Sequence, residues 1–113
     1  MSESSQTRTL CSELKKVGAT VFAIVAHKLQ EPGWPDRFIS HPWWQGFIEF
    51  KDVNTQSTTK QRIIIRTLNR HRLGSAVFVR HPDRIEDCDH NLLATFSDAR
   101  DLLTQLRAIS SAT

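Results

Sequence analysis

The stretch Gly46-Phe47-Ile48-Glu49-Phe50-Lys51 constrains this chain more than any other. It reads as a strand, in which successive side chains leave opposite faces of a sheet. Phe47, Glu49 and Lys51 then share one face, and Ile48 and Phe50 the other. A charged pair on an otherwise apolar strand is costly unless it is paired, exposed or bound to something. The surrounding fold must therefore both build this strand and account for its two charges.

Other segments supply the rest of a small mixed domain. Glu3, Leu10, Leu14 and Val17 recur on one stripe of a 3.6-residue period, and Gly18 is a natural stop, so the first segment reads as a helix. Residues 20–27 are β-branched and apolar without a helical face, and read as a buried strand. Pro35 and Asp36 lead into a short strand over residues 37–39, broken by His41-Pro42. A second helix is expected over residues 58–72. Gln61, Ile64, Ile65 and Leu68 lie on one of its faces, and Arg62, Arg66 and Arg70 form a stripe on the other. Residues 76–79 read as a strand, residues 81–91 as a polar loop, and Ser97 with Asp98 opens a last helix. The economical arrangement is a single α/β domain over residues 1–113, with a central mixed sheet of about four strands flanked by helices.

Composition closes off several classes. The longest apolar run covers residues 21–26, far short of a membrane span. No basic start followed by a hydrophobic stretch marks a secretory leader, and two cysteines, Cys11 and Cys88, make no disulfide framework. A cytoplasmic protein with no membrane partner is the expectation. The formal charge of +3 permits a polyanionic partner without requiring one.

Asp36 precedes Glu49 by only 13 residues, a connection short enough for the two strands to pair antiparallel. Two carboxylates and the Lys51 ammonium would then converge. That donor set suits a hard, oxygen-seeking cation such as Mg²⁺ or Mn²⁺, which keeps water positions open for substrate phosphates. A lysine beside it can steady the attacking hydroxide or the charge that develops on phosphorus.

These residues resemble the core of the PD-(D/E)xK nucleases. The finer match is to the VRR-NUC (virus-type replication-repair nuclease) group. Its aspartate comes in a Gly-x-Pro-Asp turn, here Gly33-Trp34-Pro35-Asp36, and its Glu-x-Lys strand follows, here Glu49-Phe50-Lys51. A glutamine early in the next helix corresponds to Gln61, and the turn from that helix into the next strand to Arg72-Leu73-Gly74-Ser75-Ala76-Val77. The resemblance implies a restriction-endonuclease-like fold and a metal-dependent DNA endonuclease, selective for flaps, forks or junctions. It implies that Asp36, Glu49 and the Phe50 backbone carbonyl hold the metal, with Glu3 as a further ligand from the first helix. Lys51 would orient or activate the attacking water, supported by Gln61. By analogy a homodimer would present two sites to the DNA, with Trp43 and Trp44 near the contact.

Each feature has an ordinary alternative. An aspartate after proline commonly caps a turn. Glu-x-Lys pairs are commonly solvent-facing. The arginine stripe is more often a solvated helix face than a phosphate track, although Lys60, Arg62, Arg66 and Arg80 together make a plausible nucleic-acid contact. Paired tryptophans can pack on the sheet instead of meeting a partner. On the same fold, a catalytically silent nucleic-acid-binding or protein-interaction module is the alternative reading.

Overall fold

Among the described residues each helix and strand read from the sequence is present, with Glu3 and residues 26–27 of the expected strand outside them, and two strands appear where the sequence shows only polar loop. The computed structural model describes residues 4–25 and 32–111. The order is α1 (Ser5–Lys16), β1 (Thr20–Ala23), β2 (Arg37–His41), β3 (Trp44–Lys51), α2 (Thr59–Leu68), β4 (Ala76–Arg80), β5 (Arg84–Glu86), β6 (Leu92–Thr95) and α3 (Ala99–Ser111). The six strands form one sheet in sequence order, antiparallel throughout except for the parallel pair of β3 and β4. A parallel pair cannot be closed by a hairpin, and α2 supplies the crossover.

The two faces of β3 have different tasks. Ile48 and Phe50 join Val77 and Val79 in the main core, covered by Leu10 and Leu14 of α1 and by Leu102, Leu103 and Leu106 of α3. Phe47, on the other face, packs with Phe78, Ile65 and Leu68 under α2. Glu49 and Lys51 follow Phe47 on that second face.

The helix ends follow the chemistry of their flanks. Ser4 caps α1, its Oγ accepting from the Thr7 backbone N–H, and Lys15 and Lys16 favour the negative end of the helix dipole. Thr58 caps α2 in a reciprocal capping box with Gln61. The last helix begins at Ala99, and its cap is Asp98: the Asp98 side chain accepts from the Asp101 N–H at 2.8 Å.

The differences from the expectation have physical causes. The sheet has six strands, because residues 84–86 and 92–95 pair antiparallel around an Asp87 turn. Asp87 Oδ1 accepts from the backbone N–H groups of Asp89 and Asn91, both at 2.9 Å. β1 is an exposed edge strand instead of a buried one, since β2 covers only one of its sides. The second helix stops at Leu68. The Asn69 side chain there bonds the Ile65 and Ala76 carbonyls and the Ala76 N–H, turning the chain into β4. Trp44 opens β3, and the connection from β2 is the two-residue turn Pro42-Trp43. Its indole N–H donates to the Gly74 carbonyl at 2.9 Å, and a Cβ at Gly46 would overlap its ring, so Trp44 is a core residue and not a contact for a partner.

Candidate active site

Register brings the acidic pair together. Arg37 faces Ile48 in the β2–β3 ladder, so Asp36, one residue beyond, stands opposite Glu49. Side chains opposed in this way start roughly 5 Å apart. The Asp36 carbonyl is anchored by the Ile24 N–H at 2.9 Å and by Arg37 Nη1 at 3.0 Å. The turn that delivers Asp36 leans directly on α2. Gly33 has φ +98°, and a Cβ there would lie 2.8 Å from the Lys60 carbonyl carbon. Glycine is thus required both by its left-handed backbone and by close approach.

The carboxylates are poorly compensated. Asp36 Oδ1 is enclosed and has no hydrogen-bond partner, while Oδ2 lies 3.9 Å from Arg37 Nη1. Burial, reinforced by the charge of Glu49, pushes the Asp36 carboxyl up to about 7. Burial also raises Glu49 above its ordinary value, against the opposing pull of Lys51. Lys51 Nζ is 3.8 Å from Glu49 Oε2 and does not neutralise it fully. Desolvation of two adjacent acids favours the protonated forms unless a cation stands between them.

Gln61 links the helix start to the lysine. Its Oε1 accepts from the Thr58 backbone N–H at 3.0 Å, as capping requires, and also from Lys51 Nζ at 2.9 Å. Its Nε2 lies 3.5 Å from Glu49 Oε2. One side chain therefore caps α2, fixes the direction of the ammonium and touches the carboxylate.

The backbone of Phe50 points the right way for a further oxygen ligand. Phe47 and Lys51 direct their backbone groups to β4, through Phe47 N–H to Ser75 O and His81 N–H to Lys51 O, both 2.8 Å. Alternation turns the Phe50 groups toward β2. Continued register would oppose Phe50 with Pro35, which has no N–H to give its carbonyl.

Asp36, Glu49, Lys51, Gln61 and the Phe50 backbone thus lie together at one end of β3. Glu3 lies outside the described residues. The basic residues do not gather there as one group. Lys60 is exposed on the first turn of α2, and Arg62 is half-buried with its Nε enclosed and unpartnered. Arg66 pairs with Asp89 at 3.2 Å on the surface. Arg80 turns inward, its Nε to Glu86 and its Nη1 to the Asp52 and Thr55 carbonyls. Glu86, Arg84, His90 and Ser57, which complete that inward cluster, carry no local sequence signal for it. Cys88, Asp89 and His90 form no metal-binding group with His81: among the described residues no cluster of three or more His, Cys, Asp or Glu side chains suits a metal.

No protein-family model matches the chain, and no curated protein matches it. Among solved structures it is similar to Archaeoglobus fulgidus Hjc, a Holliday junction resolvase from an archaeal hyperthermophile. The TM-score is 0.51 at 14% identity, over 86% of this chain and 89% of that one. The likeness shows the fold. It is restriction-endonuclease-like. Among the described residues no helix is long and apolar enough to cross a membrane.

Proposed function

We propose that this protein is a divalent-metal-dependent DNA endonuclease of the VRR-NUC type that hydrolyses phosphodiester bonds at branched DNA. One observation carries the reading: two adjacent carboxylates, Glu49 buried and Asp36 half-buried with an enclosed oxygen that no protein group satisfies, sit beside a lysine aimed by a glutamine. The resemblance of Gly33-x-Pro35-Asp36 and Glu49-x-Lys51 to nuclease motifs supports it, as does a fold shared with a junction resolvase.

The residues fit a hard cation. The unpartnered Asp36 Oδ1 and the raised carboxyls of Asp36 and Glu49 would both be relieved by a positive charge between them. Asp36, Glu49 and the Phe50 carbonyl would hold Mg²⁺ or Mn²⁺, with Glu3 as a further ligand. When bound, the metal supplies Lewis-acid polarisation of the phosphate and a more acidic water. The protein's own part is positional and electrostatic. Lys51, held by Gln61 Oε1, presents an ammonium to the oxygens on which negative charge grows during attack. Gln61, fixed by its capping duty, cannot swing away without fraying α2.

Lys60, Arg62 and Arg66 on α2 would meet DNA phosphates. A homodimer would present two sites to a junction, with the exposed Trp43 and not Trp44 near the contact. The test is cleavage of supercoiled, forked and four-way DNA with Mg²⁺ or Mn²⁺. Metal-dependent cleavage is expected, fastest on branched substrates. Lys51→Ala should lose about a hundredfold in rate, on the order of 3 kcal/mol of transition-state stabilisation. Cleavage by Lys51→Ala at the wild-type rate would remove these residues from the mechanism.

A further inference from the structure

A second polar cluster shares the sheet face that carries Glu49 and Lys51. Glu49 stands beside Phe78 in the register, and Phe78 beside Glu86. Glu86 is 2% exposed, yet it is satisfied from three directions. Arg80 Nε donates to both of its oxygens, at 3.1 and 3.3 Å, Arg84 Nε donates at 3.0 Å, and His90 Nδ1 lies at 2.9 Å. An ionised carboxylate only accepts, so Nδ1 carries a proton. In the neutral ring Nε2 is then the acceptor, and Ser57 Oγ stands 2.6 Å from it to donate.

Two arms of this cluster reach the connection over residues 52–58, which leads from Lys51 into the capping box of Gln61. Arg80 Nη1 donates to the Asp52 and Thr55 carbonyls, both at 2.8 Å. His90 takes Ser57, the residue before the Thr58 cap. His90 is held for this at φ +64°, a left-handed conformation that is uncommon outside glycine, with its ring 4.4 Å from that of Phe78. Its backbone N–H donates to the Asp87 carbonyl at 3.0 Å. The connection therefore has both its ends fixed from β4 and the turn after β5.

We infer that Arg80 and His90, organised by Glu86, are positioning residues that clamp the 52–58 connection so that Gln61 Oε1 meets Lys51 Nζ. This rests on the nuclease reading for its catalytic consequence but not for the clamp itself. Arg80 then acts through the backbone it holds, instead of through a DNA phosphate.

The test uses Ser57→Ala, Ser57→Thr and Arg80→Gln in the full chain, with two readouts. The first is amide hydrogen exchange in metal-free, DNA-free protein. The Thr58 and Gln61 amides should exchange at least tenfold faster in Ser57→Ala and Arg80→Gln, with the core of β3 and β4 unchanged. The second is steady-state cleavage of four-way DNA with Mg²⁺. Here kcat should fall about tenfold or more in the same two variants with KM within twofold, and Ser57→Thr should restore it. Unchanged exchange at Thr58 and Gln61 in Ser57→Ala overturns the clamp, whether or not the protein cleaves DNA. So does an Arg80→Gln protein with unaltered kcat, raised KM and a salt dependence shallower by about one unit, the mark of a lost phosphate contact. Accelerated exchange in Ser57→Ala and Arg80→Gln, beside a wild type that cleaves no DNA, would keep the clamp and overturn the nuclease reading.

Discussion

Two carboxylate clusters lie on one face of this sheet, and they are built in opposite ways. Glu86 is buried with Arg80, Arg84 and His90 around it, and those hydrogen bonds hold its carboxyl below the ordinary value although burial alone would raise it. Glu49 is buried and Asp36 half-buried beside it, with Lys51 3.8 Å from Glu49 and one enclosed Asp36 oxygen unsatisfied, and both carboxyls are raised. Protein groups complete the first cluster and leave the second incomplete. A satisfied buried acid contributes to structure; an adjacent pair left short of positive charge is prepared for a ligand.

The comparison breaks most directly at Glu86. Removing it leaves Arg80 and Arg84 facing each other without their shared anion, so Glu86→Ala should lose about 3 kcal/mol or more of stability. Urea unfolding at pH 7 measures this, and a loss under about 1 kcal/mol would show that the cluster is not held as described. The opposite pH response sharpens the same point. Because the Glu86 carboxyl is lowered, its contribution is present above its unfolded value and is lost as pH falls through the folded one.

Gly33→Ala should cost about 2 kcal/mol, from the left-handed backbone and from overlap with the Lys60–Gln61 backbone. It should also reduce cleavage, since Asp36 and Gln61 are displaced relative to each other. Alanine tolerated with full activity would mean that the turn does not bear on α2. The smallest effect is expected at Asp36. Its carboxyl is raised to about 7, so the folded protein holds the proton more tightly than the unfolded chain, and stability falls as pH rises from about 4 to about 7. Asp36→Asn should therefore stabilise the metal-free protein at pH 8, by about 1 kcal/mol since the side chain keeps part of its hydration, and should not do so at pH 4. Thermal melts at the two pH values decide it.

The residues of the candidate site are more legible in the sequence than the sheet is. Glu49 and Lys51 are related by the period of a strand, and Asp36 by a connection too short to reach anywhere but the neighbouring strand. Gln61 declared itself as a polar group on an apolar helix face. None of these depends on distant contacts. β5 and β6 do: β5 has three residues, β6 is largely exposed, and their pairing is set by side-chain bonds from Asp87 that no periodicity reports. The burial of Trp44 is hidden in the sequence for a similar reason, since its partner, the Gly74 carbonyl, lies 30 residues away. Arg80 looked like surface basicity because Glu86 and the Asp52 and Thr55 carbonyls become its neighbours only in the folded sheet.

Calorimetric titration of Mn²⁺ into the protein near pH 7, repeated in buffers of different ionisation enthalpy, tests the central claim most directly. Binding should release protons, because burial and Glu49 raise the Asp36 carboxyl to about 7 and it must ionise to ligate. Binding should be lost in Asp36→Asn and Glu49→Ala and kept in Lys51→Ala. Mn²⁺ binding that is equally tight in wild type and Glu49→Ala, without proton release, would contradict the account.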